Sequence, residues 1–293
     1  MIKTIHVCNV GGKRIHLPMD SVHIRFYVVL LLCVAVCVFC LLGPQLMPND
    51  PYHANLSAAK QPPSDEFPMG TDNMGRCIWS RILAGAVASV YTSLLTVVLM
   101  VFIGMVIGVL SGYYGGKMDT IVMRIVDIFL AFPGMVLALA IAGFLGPGMG
   151  NAVLALVATG WTQYARLARS QVLSLKEESF ISAARLNGFS DFYIIFRHIL
   201  PNTFRPLVVT ASINICGTML SLAGFSFLGL GAQPPLAEWG SMLSAGRQYL
   251  QTCPWIVFYP GLAILFVAML FNLLGDCVRD VLDPRRKDKN LIF

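Results

Sequence analysis

The stretch SAARLNGFSDFYIIFRHILPN, residues 182–202, separates two long apolar runs of the chain and is itself too polar to cross a bilayer. The apolar residues that follow the i, i+3, i+4, i+7 spacing of one helical face are Phe192, Ile195, Phe196 and Ile199. Gly188 is expected to end a first helix, since glycine tolerates the left-handed cap conformation. Ser190 can cap a second helix with Asp191 in its first turn, and Pro201 is expected to end it. The sequence therefore predicts two short amphipathic helices here.

The composition is that of a membrane protein. Hydrophobic residues make up 56% of the 293 residues, and charged residues only 12%, against about 25% in soluble domains. The net charge of +6 arises from basic residues that lie between apolar runs, which indicates a topology signal and no nucleic-acid partner. Cysteines within apolar runs behave as small hydrophobes, and no paired CxxC motif predicts a metal site.

Six apolar segments approach the length of about 20 residues that crosses a bilayer as a helix. The predicted spans are residues 26–46, 83–112, two spans that share the charge-free stretch 128–165, and segments within 206–231 and 254–275. Gly146, Pro147 and Gly148 divide the third span from the fourth, and the third is expected to begin near Thr120. The predicted fold class is an all-α membrane protein with six transmembrane helices.

The distribution of basic residues predicts the orientation. Six spans place both termini on one side, and 17 of the 21 Lys and Arg residues fall on that side. Basic residues are enriched in cytoplasmic segments, so both termini are predicted to be cytoplasmic. The helix pair between the fourth and fifth spans is then cytoplasmic as well. Its spacing alone leaves two interpretations open: it lies on the inner leaflet, or it docks on a partner protein.

The helix pair resembles the signature loop of ATP-binding-cassette importer permeases, which reads Glu-Ala-Ala, three residues, Gly, nine residues, Ile, one residue, Leu-Pro. The matching residues of this chain are Ser182, Ala183, Ala184, Gly188, Leu200 and Pro201. Two positions depart from the pattern: Ser182 stands where the family has Glu, and His198 where it has Ile. The resemblance favours protein docking over lipid binding.

Further motifs are similar to the subfamily that imports dipeptides, oligopeptides and nickel, and most closely to its second permease type. They are residues 70–76 with Ser80 and Arg81, then 226–231, 237–240, 272–276, Arg279 with Asp280, and 282–284. Cys77 occupies a position where that subfamily commonly has Asp.

The resemblance implies a permease subunit of an ATP-driven importer of di- or oligopeptides in the bacterial cytoplasmic (inner) membrane. Nickel or metal-chelate import is the alternative cargo, and a secondary transporter is a remoter one. The residues implied to couple to the ATPase are Ser182, Ala183, Ala184, Gly188, Asp191, Leu200 and Pro201. The implied partners are a second homologous permease, two ATP-binding subunits, an extracytoplasmic substrate-binding protein and membrane lipid.

The chain is expected to bind no cofactor, and ATP and Mg are expected on the partner ATPases. The phosphate-binding pattern is G-x-x-x-x-G-K-[ST]. The nearest stretch, Gly116-Lys117 followed by Met118, fails at its last position, and Ser111 stands where the first glycine is required. The protein is therefore predicted to be a transporter subunit and not an enzyme.

The implied division of the chain has a cytoplasmic segment 1–25, a first helix 26–46, an extracytoplasmic segment 47–80, a permease domain 81–276 with a coupling loop 171–204, and a cytoplasmic tail 277–293. Two further residue pairs are candidates. Arg124 and Asp127, three residues apart, form either a structural charge pair or a gate. Glu238 and Trp239 form either a packed outer loop or a contact with the binding protein.

Overall fold

The computed structural model describes residues 4–10 and 13–282. Two strands, β1 (Thr4–Val10) and β2 (Lys13–Pro18), form an antiparallel hairpin that the sequence analysis did not anticipate. The remaining regular structure of the described chain is helical, joined by loops of which residues 59–77 and 228–238 are the longest. The helices are α1 (Met19–Leu42), α2 (Ile78–Tyr114), α3 (Gly116–Leu130), α4 (Gly134–Leu145), α5 (Met149–Lys176), α6 (Ser179–Leu186), α7 (Asp191–Phe227), α8 (Trp239–Gly246) and α9 (Trp255–Leu282). Short 3₁₀ turns are Gly43–Gln45, Leu56–Ala58 and Arg247–Tyr249.

Four of the described helical segments are long and apolar enough to cross a membrane: Val22–Gln45, α2, α7 and α9. Helices α3 and α4 form a fifth candidate span if they are taken together, although they meet at 89°. The break lies at Pro133, because proline lacks the N–H group of a helical hydrogen bond and disfavours helical backbone in the preceding residue. The predicted helical membrane class is confirmed for the described residues that follow the β1–β2 hairpin, and the predicted division at residues 146–148 separates α4 from α5.

Helix α5 packs closely against α2, and it is less apolar than the other long helices because its C-terminal part carries Arg166, Arg169 and Lys176. Its 28 residues extend about 42 Å, more than the hydrocarbon thickness of about 30 Å. Glycines of α2 allow this helix to approach α5 closely. A Cβ added to Gly104 would lie 2.5 Å from Tyr164 Cβ, and one added to Gly108 would lie 2.3 Å from the Ala165 carbonyl oxygen, so neither position has room for a side chain. Small residues at a helix interface permit this packing in membranes.

The second helix of the pair continues into the membrane. The prediction that Pro201 ends this helix is wrong, since α7 runs through both Pro201 and Pro206 to Phe227. A π-helical segment, Ile195–Ile199, precedes the first proline, and the Leu200 N–H donates to the Ile195 carbonyl five residues back. A π turn re-routes the hydrogen bonds of a helix, so the chain passes the proline without stopping.

Candidate coupling surface and translocation path

The turn between α6 and α7 has the geometry that its sequence predicts. Gly188 has φ +77°, and the N–H groups of Gly188 and Phe189 donate to the carbonyls of Arg185 and Ala184 at 3.0 and 3.2 Å. This is the Schellman arrangement that closes a helix end. Ser190 then caps α7, and its hydroxyl accepts a hydrogen bond from the Tyr193 N–H at 3.3 Å.

The helix pair has two apolar faces where the sequence predicted one. The face that packs onto the bundle consists of Ile181, Ala184, Ile194, Ile195 and Ile199. The other face is exposed, and we call it the aromatic ridge: Leu186 (90% exposed), Phe189 (47%), Phe192 (70%) and Phe196 (54%). The two rings of Phe192 and Phe196 contact each other with centroids 4.3 Å apart. The ridge is a set of exposed apolar side chains on a pair of helices whose other face is packed on the bundle.

The residues implied to couple to the ATPase are spread around this ridge. Ser182, Ala183, Gly188, Asp191 and Pro201 are exposed, Leu200 is half-buried, and Ala184 is buried against the bundle. The structure therefore places five of the seven where a second protein can touch them.

Asp191 ties the helix pair to the end of α2. The Tyr113 hydroxyl donates to Asp191 Oδ1 at 2.5 Å. The Lys176 ammonium donates to the Tyr113 carbonyl at 2.9 Å, and the Arg185 guanidinium lies 5.6 Å from the centre of the Tyr113 ring. Sequence analysis missed Tyr113, because a tyrosine at the end of an apolar run is also typical of a membrane interface.

The predicted partnership of Arg124 with Asp127 is wrong. Among the described residues, the ion pair of Asp127 is with Arg166 of α5, at 2.7 Å between Oδ1 and Nη2. A second pair joins the same two helices: Asp119 of α3 accepts from Arg169 Nε and Nη2 at 2.5 and 2.6 Å. Both ion pairs connect α3 to α5. The spacing of residues within one helix cannot identify a partner on another helix.

Glu238 and Trp239 lie buried at the start of α8, in the loop that the sequence predicts to be extracytoplasmic. Glu238 is 1% exposed, and its carboxylate accepts from the N–H groups of Gly240 and Ser241 at 2.9 and 2.8 Å at the start of α8. The buried Trp239 donates its indole N–H to the Ile82 carbonyl at 3.0 Å. Neither side chain is accessible to a separate binding protein, and both join α8 to α2.

The pKa of the Glu238 carboxyl lies above its ordinary value, because burial disfavours the charged form more than the hydrogen bonds from Gly240 and Ser241 favour it. A raised pKa in the folded state stabilises the protein below the ordinary carboxyl pKa, and that stabilisation is lost as the pH rises through the folded value.

The glutamine of Glu238→Gln does not ionise. We therefore expect the stability of this variant relative to the unsubstituted protein to rise with pH, from about pH 4.3, the ordinary glutamate value, to neutrality. Thermal unfolding of both proteins across this range measures the difference in midpoint. The exposed Glu177→Gln serves as control. If the unfolding midpoint of Glu238→Gln falls relative to that of the unsubstituted protein as the pH rises, the pKa of Glu238 is not raised.

A cavity of about 310 Å³ with a mixed polar and apolar lining lies between α2, α5, α7 and the break between α3 and α4. Its neutral polar lining consists of Thr159, Thr162, Gln163, Asn214, Thr218 and Ser221. Asn214 Nδ2 donates to the Tyr164 hydroxyl at 3.0 Å, which fixes the amide at the cavity wall. The cavity gives the bundle a hydrogen-bonding interior that contains no carboxylate and no imidazole among its lining residues.

Sequence analysis did not identify this cavity, although a signal for it is present. Residues 214, 217, 218 and 221 follow the i, i+3, i+4, i+7 spacing of one helical face, and all four are small or polar within a predominantly apolar span. Such a stripe indicates a face that avoids lipid.

The family model described as "binding-protein-dependent transport system inner membrane component" matches residues 104–288. This region contains most of the cavity lining and the whole helix pair. The chain belongs to this family. Membership confirms the predicted multi-pass protein of the inner membrane and its place in a binding-protein-dependent transport system.

Curated members of the family are similar over most of their length. The dipeptide transport system permease protein DppC of Alkalihalophilus pseudofirmus is 42% identical over 88% of this chain and 85% of its own. The probable D,D-dipeptide transport system permease protein DdpC of Escherichia coli K12 is 42% identical over 89% and 87%. The glutathione transport system permease protein GsiD of Pectobacterium atrosepticum is 40% identical over 83% and 81%.

A solved structure shares the fold. One chain of the inward-facing MetNI methionine ABC transporter superposes with a TM-score of 0.51 and 21% identity, over 67% of this chain and 95% of the other. At this identity the likeness concerns the helical architecture alone.

Proposed function

We propose that this family member is one of two homologous permease subunits of an ATP-driven importer that moves di- and oligopeptides into the cytoplasm. The observation that carries the proposal is the similarity to two dipeptide permeases, at 42% identity over most of both chains. The polar side chains in the cavity lining support this cargo. Neutral amide and hydroxyl groups can both donate and accept hydrogen bonds, which suits a peptide backbone whatever side chains it carries.

We assign six membrane crossings with both termini in the cytoplasm: α1, α2, the broken pair α3–α4, α5, α7 and α9. The 89° break at Pro133 borders the cavity, where Gly134 and Met135 form part of the wall. Irregular backbone at membrane depth is tolerated where it lines a cavity. The excess of basic residues at the termini and the helix pair supports the orientation.

The aromatic ridge is the proposed contact with the partner ATPase. Four large apolar side chains exposed on the cytoplasmic side are costly in water and are typical of a helix that binds in an apolar groove. The buried face and the Tyr113–Asp191 hydrogen bond connect this surface to α2, so movement of the ATPase reaches the membrane helices directly. Ser182 replaces the carboxylate of the family pattern and leaves a hydrogen bond in place of an ion pair.

The importer is proposed to contain a second permease, two ATP-binding subunits and an extracytoplasmic substrate-binding protein. ATP and Mg bind to the ATPase subunits, and this chain binds no cofactor. Its own contribution is alternating access to the cavity, driven through the helix pair.

Uptake measurements separate the two cargo classes. A strain that lacks the gene for this chain is given labelled dipeptide or a labelled nickel chelate, with and without the restored chain and its partners. We expect restoration of dipeptide uptake alone. Restoration of nickel uptake alone would reverse the cargo, and equal uptake with and without the chain would remove it from both routes.

A further inference from the structure

Two buried arginines share one carboxylate on the outer side of the bundle. The side chains of Arg76, Arg81 and Asp72 are 10%, 6% and 9% exposed. Arg76 Nε donates to Asp72 Oδ2 at 2.7 Å, and Arg81 Nε lies 3.5 Å from the same oxygen. Within the described part of the chain, Asp72 is the one carboxylate within 4.0 Å of either guanidinium. The cluster therefore carries one excess positive charge.

The charge of Asp72 is also engaged by the backbone. Its other oxygen, Oδ1, accepts from the N–H groups of Met74 and Arg76 at 2.8 and 3.0 Å. Arg81 makes a further hydrogen bond to the Pro51 carbonyl at 2.9 Å, which fixes the guanidinium but does not neutralise it. Burying an unpaired charge is strongly unfavourable, so this arrangement calls for a counter-ion.

A cavity lies beside the two guanidinium groups. It has a volume of about 60 Å³, and Asp72, Arg76, Arg81 and Asn73 line it together with apolar residues of two separate outer segments and α9. A water molecule needs about 10–15 Å³, so there is room for a small ion. Apolar walls strengthen the attraction between charges, because they lower the local dielectric constant.

We propose that this cavity binds one small monovalent anion, a chloride or a single carboxylate group, between Arg76 and Arg81. One negative charge balances the excess charge of the cluster, whereas a divalent phosphate or sulfate would overcompensate it. Guanidinium groups suit a carboxylate in particular, since they donate two parallel hydrogen bonds. Asn73, on the cavity wall, supplies an amide donor.

The bound anion links two outer segments that are far apart in the sequence. One wall of the cavity comes from residues 72–81 and the other from Pro234, Leu236, Ser241, Met242 and Ala245. The anion therefore stabilises the outer layer above α2 and α8. Its source is either a free ion or the terminal carboxylate of a peptide.

Thermal unfolding of the full-length protein in detergent tests the site. The midpoint is followed by tryptophan fluorescence while chloride, acetate, glycylglycine or glycylglycine amide replaces isethionate at constant ionic strength. We expect a saturating rise of about 3 °C or more with chloride or acetate. A rise with glycylglycine but not with its amide identifies a peptide carboxylate as a further source.

Two variants make the test specific. Asn73→Asp places a carboxylate on the cavity wall, so its midpoint in isethionate should equal the saturated value of the unsubstituted protein and should not respond to chloride. Arg81→Gln should also lose the response, while the exposed Arg247→Gln should keep it. No saturating response in the unsubstituted protein, or an undiminished response in Asn73→Asp, overturns the proposal even if Arg81→Gln fails to fold.

Discussion

Replacing Phe192 and Phe196 together by serine is expected to weaken binding of the partner ATPase by about a hundredfold and to abolish uptake. Both rings are more than half exposed and so contribute little to the fold of the chain itself. Burying a phenylalanine side chain contributes about 1.5–3 kcal/mol. Loss of the exposed parts of two rings removes about 3 kcal/mol, and each 1.4 kcal/mol is a factor of ten in affinity.

Co-purification of the ATPase with tagged permease, alongside labelled dipeptide uptake, measures this effect. Phe144→Ser is the matched control, because that ring is still more exposed but lies at the far end of α4 from the helix pair. We expect Phe144→Ser to retain the ATPase. Normal co-purification and uptake in the double variant would show that the aromatic ridge has another role.

Substitution of Gln163 by leucine is expected to reduce peptide uptake at least tenfold while the importer still assembles. Gln163 lies on the wall of the cavity with the amide of Asn214, and leucine has a similar volume but no hydrogen-bonding group. A peptide group buried without a partner costs about 1–3 kcal/mol, which is about one to two orders of magnitude in rate.

Gln163→Asn is the matched control, since it keeps the amide and should retain most of the uptake. Initial uptake rates are compared with ATPase co-purification in the same membranes. Unchanged uptake in Gln163→Leu contradicts the assignment of this cavity to the path, and lost co-purification would assign Gln163 a role in assembly instead.

The sequence predicted the helical class and the turn at Gly188 because both depend on local chemistry. An apolar run of sufficient length requires a helix in lipid, and glycine is favoured at φ +77°. The sequence did not predict the continuation of α7 through Pro201, because the π segment that accommodates the proline has no signature in residue types. The 89° break at Pro133 was likewise hidden inside a charge-free stretch.

The candidate site was predictable where it lies on one helix and unpredictable where it joins several. The spacing located the helix pair but could not say which apolar residues face the bundle, since Ile195 and Phe196 are equally apolar neighbours. The partners of Asp127 and Asp191 are 39 and 78 residues away in sequence. Spacing within one helix carries no information about such contacts.

Because α7 is one continuous helix, it can transmit a movement from one of its ends to the cavity. Phe192 and Phe196 of the aromatic ridge are on the same helix as the cavity amide Asn214, and the 18 residues from Phe196 to Asn214 correspond to about 27 Å of helix. A rigid tilt of about 5° at the ridge would displace Asn214 by roughly 2 Å over that length, which is comparable to the radius of a water molecule. In the proposed importer, a small rotation of the ATPase would thereby change the cavity width without any unfolding of the helix between them.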